Sequence, residues 1–392
     1  MLQYRKRAWA EISLDALAHN VQVIQNQLSE HTEFCAVVKA DAYGHGEEFI
    51  CKKLYALGIK FYAVSSFEEA IRVRKWCPEG EILILGYTAP ECAPLLAENH
   101  IIQTIISENY AKELASYTKS GMKLKCHIKL DTGMGRIGLF AKSQETCLQE
   151  IKSILNLSGL QIDGIFTHFA VADEPDFNNQ AYTQEQENLI FDIFYKLQEE
   201  NIFLKHVHCM NSAGICYHNQ SKSTLARAGI IMYGLMPNRS LAVPFSLQPV
   251  LSLRTRISHI KTIHAGDCVS YGRTYQAKEN RKIATITIGY ADGYARLLSN
   301  KAEVLVNGIR CAIVGRVCMD QTMIDVTAIP DSNLKIGTVV TLIGQDGNDC
   351  ITADELASNY QTIGYEVVCG ISKRIPRIFI ENSCMIHEDS LI

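Results

Sequence analysis

Between positions 34 and 233, short apolar runs recur at a spacing that leaves room for a helix between most neighbours. The runs fall at 34–39, 61–64, 81–86, 101–106, 124–131, 162–168, 204–209 and 229–234. The segments between them, notably 47–57, 67–76, 109–118, 144–154 and 182–200, carry apolar residues at helical spacing. Parallel strands need crossover connections of this kind, so the pattern predicts an α/β architecture. Eight strand–helix units within about 220 residues fit a closed (β/α)8 TIM-type barrel better than an open sheet.

Around Pro237 the texture changes. Beyond it lie short runs at 251–257, 268–271, 283–288, 303–306, 312–314 and 339–343, separated by turn signals such as Asn307-Gly308 and Asp346-Gly347. Helical pattern is scarce there, with 353–358 the best case. Three parts are therefore expected: a lead-in strand over 1–12 that joins the second domain, a barrel over 13–236, and a mostly-β domain over 237–392. Asp15 reads as the N-cap of a helix whose stripe is Leu17, Val21, Ile24 and Leu28. With 392 residues two domains are the default, and a net charge of −4 without a basic stripe argues against a nucleic-acid partner. The basic start, 1–7, is not followed by an apolar segment, and no stretch reaches the ~20 apolar residues that span a bilayer. A cytoplasmic protein with no membrane partner is expected, its 14 cysteines scattered and reduced.

A barrel concentrates its chemistry at the carboxyl ends of its strands, and the unusual polar residues lie there. The segment VVKADAYGHG, 37–46, sets Lys39 at the end of the first run and follows it with a turn-rich stretch holding two glycines. An ammonium at that place loses hydration, so its pKa falls, and a neutral amine can attack an aldehyde. Tyr43 and nearby N–H groups could reach a phosphate at the same rim. Taken alone, such a lysine is more often one that snorkels from a core strand. The segment DTGMGRIG, 131–138, is a glycine-rich turn that aims Arg136 inward, close after Lys129. His168 ends the sixth run, where a flat imidazole can stack on an aromatic ring. Ser212 with the N–H groups of Gly229 and Ile230 would compose a phosphate nest. Arg227, which keeps its proton, would hold a neighbouring pyridine nitrogen unprotonated. His206, His208 and Cys209 suggest a metal, but strand alternation sends Cys209 to the opposite face, and no metal is expected. In the second domain, three polar, aromatic turns at 270–275, 289–294 and 314–321 predict the rim of a shared pocket.

These motifs, in this order from about Trp9 to Pro376, closely resemble the alanine racemase family. The resemblance implies a fold-type III pyridoxal-phosphate enzyme that acts on a small amino acid as a homodimer with shared active sites. By the same resemblance, Lys39 is the Schiff-base lysine and one base. Tyr271, in SYGRTY and reaching in from the partner subunit, is the base on the opposite face. Arg136 is implied near the cofactor's phenolic oxygen and the substrate carboxylate, His168 beside the ring, and Arg227 at the pyridine nitrogen. Tyr43, Ser212, Gly229, Ile230 and Tyr365 are implied at the phosphate, Met319 and Asp320 at the substrate. Lys129 matches a lysine that is carbamylated in part of the family. The implied activity is interconversion of L- and D-alanine by two-base proton transfer on a pyridoxal-phosphate aldimine, supplying D-alanine for peptidoglycan. Two other readings stand beside it. Serine-preferring racemases linked to glycopeptide resistance share several stretches but carry asparagine where this chain has Tyr365. Fold-related decarboxylases place an acidic residue where this chain has Arg227.

Overall fold

The structure, a computed structural model, describes residues 6–389 apart from 120, 219 and 239. The chain divides into two compact units. One comprises Ala18–Ala42 and Glu47–Gln248; the other comprises residues up to Leu17, Tyr43–Gly46 and residues from Pro249 onward.

In the first unit eight parallel strands run in chain order: Glu33–Val37, Phe61–Val64, Glu81–Ile84, Ile101–Ile105, Leu124–Asp131, Leu160–Phe166, His206–His208 and Leu225–Ala228. Successive strands pair as far as the seventh, and the eighth pairs with the first, Arg227 opposite Cys35. The seam between seventh and eighth closes through two backbone bonds, Thr224 N–H to the Val207 carbonyl at 2.8 Å and Arg227 N–H to Met210 at 3.2 Å. Every residue of Ile101–Ile105 is buried, as expected for strands covered on both faces. The surrounding helices bury a single stripe, such as Tyr110, Ala111 and Leu114 of Glu108–Tyr117. Ser66 and Ser107 cap two of them, each accepting a backbone N–H three residues on.

Two local expectations give way. The apolar run at 229–234 is a short 3₁₀ helix, Ile230–Tyr233, and the eighth strand lies just before it. That strand, Leu-Ala-Arg-Ala, has weak β propensity and is recruited by its neighbours on the barrel wall, while a short apolar run carries no period to separate strand from helix. The first helix, Leu14–Gln25, is capped by Ser13, whose hydroxyl accepts the Ala16 N–H; Asp15 instead accepts the N–H of Asn382.

Part of the barrel interior is filled by rings. Phe61 meets His206 edge-on at 5.6 Å, His127 lies 5.4 Å from His206 and 5.2 Å from His208, and His208 stacks on Phe166 at 4.8 Å. In the second unit, Ala8–Ser13 is a central strand, antiparallel to Leu251–Ile263 on one side and parallel to Arg377–Glu381 on the other. The 13-residue strand Leu251–Ile263 also pairs with Arg281–Ile286, which pairs with Thr322–Asp325. Among the described residues no cysteine forms a disulfide. Among the described residues no helix is long and apolar enough to cross a membrane.

Gly164 marks how tightly the barrel is filled: a Cβ there would sit 2.9 Å from His206 and 3.1 Å from the His127 ring. Gly164→Ala is expected to cost about 1–3 kcal/mol of stability by overpacking, read as a lowered denaturant midpoint at unchanged slope.

Candidate active site

Lys39 follows the first strand, half-buried, and opens a single helical turn, Lys39–Gly44. The turn is left-handed: Ala40, Asp41, Ala42 and Tyr43 all have φ between 53° and 55°. For L-residues this costs roughly 1–2 kcal/mol each, so the surroundings must enforce it. Ala42 N–H bonds back to the Val38 carbonyl at 3.0 Å. The Ala40 N–H donates to Glu69 Oε1, and Asp41 Oδ1 accepts the Glu47 N–H, each at 2.8 Å. Gly44 leaves the turn at φ +78°, where a Cβ would lie 2.4 Å from the Val368 carbonyl oxygen.

The next cations come from the other strand ends. Lys129 is buried; its Nζ donates to the Leu130 carbonyl at 2.7 Å and lies 5.5 Å from the Phe166 ring. Burial, then repulsion from Arg227, lowers its pKa to about 7, with Asp131 opposing and Arg136 adding to the fall. Asp131 Oδ1 accepts the N–H groups of Gly133 and Gly135, both at 3.0 Å, which shapes the loop bearing the exposed Arg136. His168 is half-buried, with the Asn211 amide 3.4 Å from its Nε2. Burial holds it well below the usual imidazole range, and the charges of Arg227, Arg136, Lys129 and Lys39 push the same way.

Arg227 lies inside the eighth strand and is buried. Its Nη2 donates to the carbonyls of Thr167 at 2.8 Å and Cys209 at 3.1 Å, and its Nη1 donates to His208 Nδ1 at 2.6 Å. A guanidinium can only donate, so His208 accepts at Nδ1, carries its proton on Nε2, and donates it to His127 Nδ1 at 3.0 Å. Desolvation lowers Arg227 to about 10, which still leaves it charged at neutral pH. His206 and His208, weighed as ligands, are thus ring-stacked and hydrogen-bonded side chains of the barrel interior. Ser212, buried, accepts the Gly229 N–H at 3.0 Å and keeps its own proton to donate. Ile230 follows as the first residue of the 3₁₀ turn.

The second unit holds the other expected residues. Tyr43 and Tyr365 face each other with ring centroids 6.4 Å apart, and burial drives the Tyr43 phenol above its usual range. Tyr271 is 71% exposed, in a turn where Ser270, Gly272 and Arg273 all have positive φ. The three aromatic turns are bonded to one another: Ser270 Oγ donates to the Arg316 carbonyl at 2.7 Å, and the N–H groups of Tyr290 and Ala291 donate to the carbonyls of Cys318 and Met319. Met319 and Asp320 are exposed on the last of them.

Sequence reasoning passed over the residues that hold these turns. Asp292 is buried, accepts the Gly289 N–H, and takes both Arg7 Nη groups at 2.6 and 3.0 Å. Arg374 lies 3.6 Å from it and pairs with Asp320 at 2.9 Å. Asp292 stood in a turn already singled out, but nothing local marks its partners. Glu69 was likewise missed, the S-x-x-E spacing of Ser66 and Glu69 being the available signal, and His208, weighed only as a metal ligand, is a hydrogen-bond partner of Arg227.

Two family patterns match this chain: the alanine racemase N-terminal domain over residues 12–237 and the alanine racemase C-terminal domain over 250–379. The chain belongs to the alanine racemase family. It is 41% identical over 385 residues to the alanine racemase of Clostridium novyi (strain NT), covering 97% of each chain. The solved alanine racemase of Clostridium difficile 630 superposes with a TM-score of 0.92 at 37% identity, over 99% of this chain and 100% of that one. The structure of alanine racemase from Bacillus anthracis with bound L-Ala-P gives 0.89 at 37%, over 98% of each.

The imidazoles give the alanine racemase family member a defined acid response. His127, His168 and His208 stay neutral well below 6.5, and His206 down to about 4. Below pH 6.5 the unfolded chain therefore binds protons that the folded chain refuses, and stability rises with pH across that window. Urea midpoints are expected to fall from pH 7 to pH 5, with these four groups contributing. His127→Gln should reduce the slope by about one proton.

Proposed function

We propose that this protein is a pyridoxal-phosphate-dependent alanine racemase that interconverts L- and D-alanine, works as a homodimer in the cytoplasm, and supplies D-alanine for peptidoglycan. The observation that carries the reading is the charge on the barrel's strand ends. Lys39, Arg136 and Arg227 all depress the imidazole of His168, as does Lys129, and such a set suits a ligand with several negative charges. The donors fit pyridoxal phosphate: the free Ser212 proton and the N–H of Ile230 for the phosphate, and for the ring nitrogen the Arg227 Nε–H, which makes no hydrogen bond among the described residues. The phosphate roles of Tyr43 and Tyr365, the contribution of Gly229, and the substrate roles of Met319 and Asp320 rest on the family resemblance.

The bound cofactor would supply the acidity of the substrate Cα–H; the protein supplies position and proton transfer. Lys39 Nζ removes or returns the Cα proton on one face. Tyr271 Oη of the partner subunit does so on the other, so the centre inverts when one gives a proton after the other has taken one. Arg136 orients the substrate carboxylate through paired N–H donors. His168, kept neutral, would lie beside the ring without adding charge. Arg227, as a donor, would hold the ring nitrogen and keep it unprotonated, which would favour return of the proton to Cα. The partner is supported by side chains that one chain leaves bare on the second unit: Tyr271, Leu297, Met319 and Ile363, between 53% and 71% exposed.

Chiral product analysis with L-alanine and L-serine, compared as kcat/KM, decides the substrate; better turnover of serine would reassign it. Tyr271→Phe is expected to lower racemisation by at least ~10²-fold with cofactor absorbance retained, and Lys39→Ala to abolish the reducible cofactor link. Lys129 is proposed to be carbamylated, because a buried amine titrating near 7 presents the neutral form to CO2 and the product places an anion beside two arginines. With ¹³C-bicarbonate a carbamate carbon should appear by NMR in the parent and vanish in Lys129→Ala; a parent without it refutes the modification.

A further inference from the structure

Four consecutive L-residues in a left-handed turn persist only where neighbours over-determine them, and the first N–H groups of any helical turn lack partners within it. The Val38 N–H still belongs to the barrel ladder, donating to the Ala63 carbonyl at 2.9 Å. Two residues later the Ala40 N–H has left the ladder and donates to Glu69 Oε1 at 2.8 Å, while Oε2 of the same carboxylate accepts the Ser65 N–H at 2.7 Å. Val37 and Ala63 are register partners, so Ala40 and Ser65 lie just past the ends of adjacent strands. One carboxylate therefore bridges the rims of the first two strands. The same helix, Phe67–Trp76, grips the turn a second time: Arg72 pairs with the buried Glu47, whose N–H is held by Asp41 within the turn.

We infer that Glu69 is a positioning residue for Lys39, its carboxylate fixing the left-handed turn from which the lysine projects. This rests on the role proposed above for Lys39. The bland alternative is helix capping, since Ser66-x-x-Glu69 has capping-box spacing and Ser66 Oγ accepts the Glu69 N–H. Glutamine serves a capping box nearly as well, but its amide offers one acceptor oxygen and turns an NH2 group towards the second N–H. Glu69→Gln thus spares the cap and breaks the bridge.

The test has two arms. In the full chain freed of cofactor, hydrogen exchange over residues 39–42 should quicken at least tenfold in Glu69→Gln, with the strand Glu33–Val37 unchanged. In the reconstituted enzyme, attachment of pyridoxal phosphate to Lys39, followed by absorbance and borohydride trapping, should slow at least tenfold. Its kcat should fall by a similar factor with KM within twofold. Glu68→Gln, one residue away on the same helix, should match the parent. Adding Ala40→Gly to Glu69→Gln should restore attachment at least threefold, because glycine adopts positive φ without strain. Parent-like exchange, or fast exchange with parent-like attachment, overturns the inference. A parent that forms no reducible link at Lys39 defeats the reading of the function, and the exchange arm still decides the clamp.

Discussion

The guanidinium of Arg227 is buried in a strand, and the three groups that hold it are all uncharged: an imidazole nitrogen and two carbonyl oxygens. Much of the barrel chemistry depends on that arrangement. A charge withdrawn from water without a counter-ion acts over a long range in a low-dielectric surrounding. It helps to keep His208, His127 and His168 neutral, and with burial it brings Lys129 into the neutral range. Neutral imidazoles can then stack on Phe166 and pack at an angle against Phe61 as parts of the core. The barrel thus has strand ends that are rich in positive charge and interior imidazoles that carry none.

The second unit buries a charge of the opposite sign. Asp292 is a carboxylate met by two guanidiniums and a backbone N–H. Full pairing makes it a rigid anchor for the turn 289–294, which in turn is bonded to the carbonyls of Cys318 and Met319. The exposed Tyr271, Met319 and Asp320 are displayed on loops whose backbone is fixed from beneath. Arg227 is left uncompensated where a ligand can answer it, and Asp292 spends compensated charge on loop geometry.

The barrel was legible because its strands are buried and its helices striped, and both periods survive in the sequence. Seven of the eight strands follow from apolar runs; the eighth did not, since Leu-Ala-Arg-Ala owes its extension to neighbours on each side. Lys39, Lys129 and Arg227 were visible as polar residues within or beside apolar runs. The left-handed turn was not, because Ala-Asp-Ala-Tyr contains no glycine or asparagine, and the conformation is held from a helix 29 positions away. Arg7 and Asp292 stand 285 positions apart, a pairing that no window along the chain contains. Local rules fail at the places where tertiary structure overrules them, and those places frame the reactive side chains.

The strand Ala8–Ser13 is made well before either of its partners. Its antiparallel neighbour begins at Leu251 and its parallel one at Arg377. At roughly 5–20 residues per second, a ribosome needs on the order of ten to fifty seconds to reach the first of these. The intervening stretch encodes a barrel with its own core, able to collapse while Trp9, Ile12 and their neighbours wait unpaired. Such a strand is a standing invitation to other edges, so Ala8–Ser13 is a segment that a chaperone on nascent polypeptides has reason to protect.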